Sequence, residues 1–121
     1  MTEHEWNDVS VSPIANGIKP GSVILVWHIF QGVMAVPCEN WNENRFYTHW
    51  RTINNDAWIQ TTDRLPERAD ADTLNCVISR SCSEEIRLTG WHRFMTESGL
   101  NEWQTPPEPP DNYRELRKNA L

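Results

Sequence analysis

Tryptophan recurs at a fixed spacing along this chain, and that recurrence constrains the fold more than any other feature. Trp6 and Trp58 each open one half of the chain, and a closing Trp follows 44 or 45 positions later, at Trp50 or Trp103. Trp is a rare residue, so matches in consistent order are hard to obtain by chance, although the chain does contain seven. The spacing therefore predicts an internal repeat.

Other segments of the two halves also coincide when they are superimposed at an offset near 53 positions. The coinciding pairs are Val23–Val26 with Cys76–Ser79, Val33 and Ala35 with Ile86 and Leu88, and Thr52 with Thr105. The predicted halves span about 6–53 and 58–110. A small antiparallel sheet cannot cover its own apolar face, whereas two such sheets can bury a shared core. We predict one domain over residues 1–121, built from two similar β units packed together.

Local patterns favour β-structure nearly throughout, so the predicted fold class is mainly β, with α+β left open. β-branched or aromatic runs bounded by turn residues predict strands at Ser22–His28, Val33–Val36, Arg45–Ile53, Leu74–Arg80, Glu85–Arg93 and Glu102–Thr105. Each opening Trp is expected to be the cross-strand partner of its closing Trp. Asp111 is a suitable N-cap, so the tail at 111–121 is predicted to form a short helix.

Charge and composition limit the function classes. The formal net charge is −6, and nothing in the sequence forms the basic surface that duplex nucleic acid requires. An acidic surface suits a soluble protein or one that meets a basic partner. There is no run of 18 apolar residues, and the acidic N-terminus is unlike a signal peptide, so we expect no membrane association. The odd set of three cysteines predicts reduced thiols in a cytoplasm.

The second half resembles the domain of unknown function 551 family of tailed phages and prophages. The residues that carry the resemblance are Trp58-Ile59, Asp63-Arg64-Leu65-Pro66, Val77-Ile78, Trp91 and the run Trp103–Pro110. The first half keeps Thr48-His49-Trp50, the Thr-His-Trp of that family, but lacks its Pro-rich end. The resemblance implies a phage or prophage origin and a cytoplasmic location in a bacterial host. It implies no catalytic residues.

Catalytic and metal-binding chemistry finds little support in the sequence. Cys76 and Cys82 lack zinc-knuckle spacing, and Cys38 stands alone, so no metal is predicted. No nucleotide-binding glycine motif or nucleophile elbow is present, and no cofactor is expected. The acidic residues of 63–72 are interpreted as a solvated loop. The predicted protein is not an enzyme, and no catalytic residue is assigned.

A binding role is the remaining prediction, and its candidate residues are Trp41, Trp91, His92, Arg93, Arg87 and Arg80. Exposed aromatic side chains anchor interfaces, and on strands Arg87 and Arg93 would share a face. The leading hypothesis is a phage accessory protein that binds and modulates or inhibits a bacterial host protein, such as a nucleic-acid-handling or defence enzyme. The alternative is a small-ligand or single-strand nucleic-acid binder. Open sheet edges would also allow a homodimer.

Overall fold

A computed structural model describes residues 5–72, 74–97 and 99–120. The predictions for the extreme N-terminus and for Leu121 lie outside these ranges. The described chain is mainly β, as predicted, and none of its helices has the length and apolar character needed to cross a bilayer. The chain divides into two compact units: unit 1 comprises Met1–Ile53 and Pro109–Leu121, and unit 2 comprises Asn54–Glu108.

Eight strands and two α-helices follow one another in the described residues. They are β1 (Asn7–Asp8), β2 (Val23–His28), β3 (Gly32–Pro37), β4 (Tyr47–Arg51), β5 (Ile59–Gln60), β6 (Cys76–Ser81), β7 (Ile86–Gly90), α1 (Trp91–Thr96), β8 (Leu100–Gln104) and α2 (Tyr113–Ala120). Short 3-10 turns occur at Cys38–Asn40 and Arg68–Asp70. The terminal helix α2 confirms the helix predicted for the tail and belongs to unit 1.

Each unit contains one antiparallel sheet of four strands, and the two sheets have the same strand order. The order is β1-β4-β2-β3 in unit 1 and β5-β8-β6-β7 in unit 2. In the first sheet Val26 is opposite Trp50, and in the second Ser79 is opposite Trp103. Each central strand also has one register irregularity, after Trp27 in unit 1 and after Arg80 in unit 2. These equivalent positions differ by 53, so the predicted pair of similar β units is confirmed, whereas their origin by duplication stays a prediction.

The closing tryptophans hold each sheet to the loop that precedes its central strand. Trp50 and Trp103 are essentially inaccessible to solvent, at 1% and 0% exposed. The indole Nε1–H of Trp50 donates to the carbonyl of Val11 at 2.7 Å, and that of Trp103 donates to the carbonyl of Arg64 at 2.9 Å. A buried indole N–H requires such a partner. Each closing Trp therefore fills a core and anchors a loop.

The opening tryptophans occupy different positions from those predicted. Asn7 and Ile59, not Trp6 and Trp58, are the cross-strand partners of the closing residues. Since neighbouring side chains of an extended chain point to opposite faces, each opening Trp lies on the other face of its sheet. There the Trp6 ring is 6.1 Å from Trp27. The expectation of direct Trp–Trp pairs was wrong because the register is displaced by one residue.

The predicted strand Glu85–Arg93 is also corrected by the structure. β7 ends at Gly90, and residues 91–96 form the helix α1. The backbone N–H of Trp91 donates to the carbonyl of Asn75 at 2.6 Å, which turns the chain away from the sheet. The helix then buries Phe94, which packs with Val77 in the core of unit 2. Burial of this one aromatic ring favours the helix over a longer strand.

Candidate functional site

Arg87 and Arg93 converge on one carboxylate in unit 2. Both guanidinium groups form ion pairs with Glu97, and the Arg93 Nε to Glu97 Oε2 distance is 3.1 Å. Arg93 lies on α1, so the two arginines do not share a strand face as expected. The Arg93 side chain remains 71% exposed, whereas that of Arg87 is 37% exposed. The positive charge predicted for this surface is thus partly neutralised within the protein.

Arg80 is separated from that pair and forms its own ion pair. Arg87 is opposite Ser79 in the register, so Arg80, the next residue, projects from the other face of the sheet. Its guanidinium binds both carboxylate oxygens of Glu102, with both distances 2.7 Å. This pairing raises the pKa of Arg80 and lowers that of Glu102. The guanidinium also lies 4.4 Å from the centre of the Trp58 ring.

The two tryptophans predicted to bind a partner lie in different units. Trp41 follows the 3-10 turn of unit 1, is half-buried, and donates its indole N–H to the carbonyl of Val9 at 3.1 Å. Trp91 begins α1 of unit 2, is half-buried, and donates to the carbonyl of Pro66 at 3.0 Å. The ring centres of Trp91 and His92 are 4.7 Å apart, and the side chain of His92 is exposed. Both indole N–H groups are therefore used inside their own units.

The charge is distributed unequally between the units. Unit 2 contains 10 of the 17 acidic residues and 5 of the 11 basic ones, so it carries −5 while unit 1 carries −1. Four arginines of unit 2 form ion pairs with carboxylates: Arg64, Arg80, Arg87 and Arg93. Unit 2 thus presents more carboxylates than its cations can neutralise.

Three exposed carboxylates lie at the same end of the second sheet. Glu84 and Glu85 occupy the hairpin between β6 and β7, and Asp63 lies in the turn after β5. The strand register brings these turns to one end, because Cys82 N–H donates to Gly99 O next to the start of β8, and Thr61 N–H donates to the carbonyl of Asn101. We call these three residues, Asp63, Glu84 and Glu85, the acidic end. The sequence did not suggest it, since Asp63 and the pair Glu84 and Glu85 come from separate turns.

A groove in unit 1 is a second feature that the sequence did not suggest. It has a volume of about 400 Å³ and is lined by Ile29, Arg45, Phe46, Thr48, Leu116 and Asn119. Ile29 follows β2, Arg45 and Phe46 directly precede β4, and Thr48 belongs to β4, whereas the last two come from α2. The adjacency of Arg45 and Phe46 is visible in the sequence, but their proximity to a helix about 70 residues further on is a tertiary property.

Aromatic rings surround His28 beside this groove. His28 is 5% exposed, and its Nδ1 accepts hydrogen bonds from the backbone N–H groups of Phe30 and Gln31, both at 3.1 Å. The ring centre of Phe46 is 5.5 Å from the imidazole. Burial lowers the pKa of His28, and the two donors require the neutral ring with Nδ1 unprotonated. His28 therefore closes the β2–β3 turn as a hydrogen-bond acceptor.

The other titratable groups do not gather into a site. Within residues 5–72, 74–97 and 99–120, no three His, Cys, Asp or Glu side chains lie together in a way that could hold a metal ion. Cys38 is buried, Cys76 is half-buried and Cys82 is exposed. Burial raises the pKa of the Cys38 thiol, whose Sγ is 3.1 Å from the carbonyl of Lys19. These environments favour neutral thiols at Cys38 and Cys76, whose pKa burial also raises.

Comparison of the chain with protein-family models, with curated proteins and with solved structures found no match.

Proposed function

We propose that this protein is a small, non-enzymatic phage or prophage accessory protein that binds a bacterial host protein and modulates or inhibits it in the cytoplasm. The observation that carries the proposal is the excess of negative charge on unit 2, −5 of the total −6. The acidic end would meet a basic surface on the partner, as nucleic-acid-handling and defence enzymes present. The phage origin rests on the sequence resemblance.

Electrostatic complementarity supports this mode of binding. The ion pairs of unit 2 engage four of its five arginines, whereas Glu84 and Glu85 are exposed and form no ion pair within the described residues. Charged groups at the rim of an interface mainly raise the association rate and select the partner. The same ion pairs weaken the alternative in which Trp41, Trp91 and the arginines bind a nucleic-acid strand, because the guanidinium groups already have partners.

A pull-down from bacterial lysate with matched charge variants tests the proposal. Glu84→Gln/Glu85→Gln removes two negative charges from the acidic end, and Asp111→Asn/Glu115→Gln removes two exposed ones from unit 1. The wild type and the unit 1 variant should capture one stoichiometric host protein, and the Glu84/Glu85 variant should capture much less. Capture should also weaken as salt is raised. Equal capture by both variants, or no stoichiometric partner, would contradict the proposal.

A further inference from the structure

The groove of unit 1 has a volume within the range of small-ligand sites. Its volume of about 400 Å³ lies within the range of about 300–1,000 Å³ that is usual for ligand sites. Buried Ile29 and half-buried Phe46 and Leu116 provide apolar surface, while exposed Arg45 and Asn119 provide polar groups. The groove is open to solvent, so a ligand can extend beyond it.

The groove of unit 1 carries a positive charge, whereas unit 2 carries a net negative charge. Among the described residues that line the groove, none is acidic. The Arg45 guanidinium lies 4.7 Å from the centre of the Phe46 ring and forms no ion pair within the part of the chain that the structure describes. Burial and the nearby carboxylate of Glu43, the acidic residue nearest to Arg45 in sequence, raise the pKa of Tyr47. The guanidinium N–H groups of Arg45 are thus available to an anion.

A second guanidinium extends the same surface. Arg117 lies 6.0 Å from the ring centre of Phe30, which in turn is 5.2 Å from that of Phe46 in a T-shaped contact. Two arginines therefore flank a pair of phenylalanine rings. Flat rings beside guanidinium groups suit a ligand that has both a planar group and a negative charge, because the ring stacks and the arginine binds the anion.

From this arrangement we propose that the groove binds a nucleoside phosphate unit, with its base against Phe46 and its phosphate on Arg45. The amide of Asn119 offers a donor and an acceptor for a base edge, and the hydroxyl of Thr48, which lies 2.8 Å from Nδ1 of His49, keeps acceptor capacity. The unit could belong to a free nucleotide or to a single strand that runs through the open groove. An acidic peptide would satisfy the arginines but would leave the flat rings without a stacking partner, so the nucleotide is preferred.

Fluorescence anisotropy with a labelled ten-residue deoxythymidine oligonucleotide tests the proposal. Arg45→Gln removes the guanidinium, and Arg68→Gln, an exposed arginine of unit 2, is the matched control. We expect Arg45→Gln to weaken binding by about tenfold, as loss of one charge-assisted contact does, and Arg68→Gln to leave it unchanged. A strand that places one phosphate on Arg45 and a second on Arg117 should give a logarithm of affinity that falls with the logarithm of salt at a slope of about −1.4.

Phe46→Leu and a titration with adenosine monophosphate complete the test. Removal of the ring should weaken oligonucleotide binding by about tenfold while the far-ultraviolet circular dichroism stays the same. If the mononucleotide competes with the oligonucleotide and shifts the amide resonances of Thr48 and Asn119, free nucleotide is the ligand. If only the oligonucleotide binds, the ligand is a single strand. Three results would overturn the proposal. They are no oligonucleotide binding, equal binding by Arg45→Gln and Arg68→Gln, and weaker binding of the oligonucleotide than of a peptide that contains Glu and Phe.

This proposal and the host-protein proposal fail independently. The groove is tested by substitutions in unit 1 with a purified ligand, whereas the acidic end is tested by substitutions in unit 2 with a lysate.

Discussion

Trp103→Phe should destabilise the protein substantially, and the size of the effect follows from the environment of the ring. The side chain is 0% exposed, packs with Val77 and Phe94, and donates its indole N–H to the carbonyl of Arg64 at 2.9 Å. Loss of that hydrogen bond costs about 1 kcal/mol. The smaller ring also leaves roughly 40 Å³ unfilled, which costs about 1 kcal/mol, and loses buried apolar area worth about 1 kcal/mol.

The expected decrease in the free energy of unfolding is therefore about 3 kcal/mol, which corresponds to a decrease in Tm of roughly 10 °C for a chain of this size. Urea denaturation followed by circular dichroism measures the first quantity, and calorimetry measures the second. The matched control is Trp58→Phe. Trp58 is half-buried, and its indole N–H is 3.4 Å from Oδ1 of Asn55.

The control substitution should cost less than about 1 kcal/mol, because Trp58 is partly solvated and Phe keeps an aromatic face for Arg80. The two variants carry the same chemical change at the start and near the end of unit 2. If Trp103→Phe costs no more than Trp58→Phe, the closing Trp does not anchor the core in the way that its contacts imply.

Two further predictions follow from buried aromatic groups of unit 1. The pKa of His28 is lowered in the folded state, so its contribution to stability is complete above its unfolded pKa of about 6.5 and is lost as the pH falls through the folded value. His28→Asn keeps a hydrogen-bond acceptor for the turn but does not titrate. The free energy of unfolding of this variant, measured by urea titration, should therefore improve relative to that of the wild type between pH 7 and pH 5. A difference between the two proteins that does not change with pH would contradict this role of His28. Within the described residues, the buried indole N–H of Trp27 has no hydrogen-bond partner, so Trp27→Phe removes an unsatisfied donor and should cost about 1 kcal/mol less than Trp103→Phe. Equal costs in the same urea assay would show that this N–H is satisfied.

The two units use one scaffold for different surface chemistry. Trp6 packs against Trp27 at 6.1 Å in the first unit, and at the equivalent place in the second unit Trp58 lies under the guanidinium of Arg80 at 4.4 Å. Arg80 in turn binds Glu102. The second unit thus has a charged pair where the first has an aromatic contact. Equivalent backbones carry unlike surfaces, which is why the acidic end and the groove lie in different units.

Much of the fold could be predicted from residue order alone. Strands have a local signature, because β-branched and aromatic runs between turn residues favour extended chain whatever their partners are. The spacing between Trp50 and Trp103 carried the further information that the pattern occurs twice. The terminal helix also had a local signal in Asp111 and the helix formers that follow it.

Contacts between distant segments decided the rest. The strand register, displaced by one residue, sent Trp6 and Trp58 to the opposite face from the closing tryptophans. Burial of Phe94 converted a predicted strand end into a helix. No local pattern shows either result, because each depends on which side chains fill a core once the sheet is assembled.

The candidate sites show the same division most clearly. The sequence by itself determined that the chain is acidic, rich in Trp and built of repeated strands, since these are properties of composition and local order. Only the tertiary structure decided that Arg80, Arg87 and Arg93 bind the protein's own carboxylates, whereas Arg45 forms no ion pair with any residue that the structure describes. The physical reason is that a charge finds its partner through space, across strands and helices whose proximity no single stretch of sequence encodes.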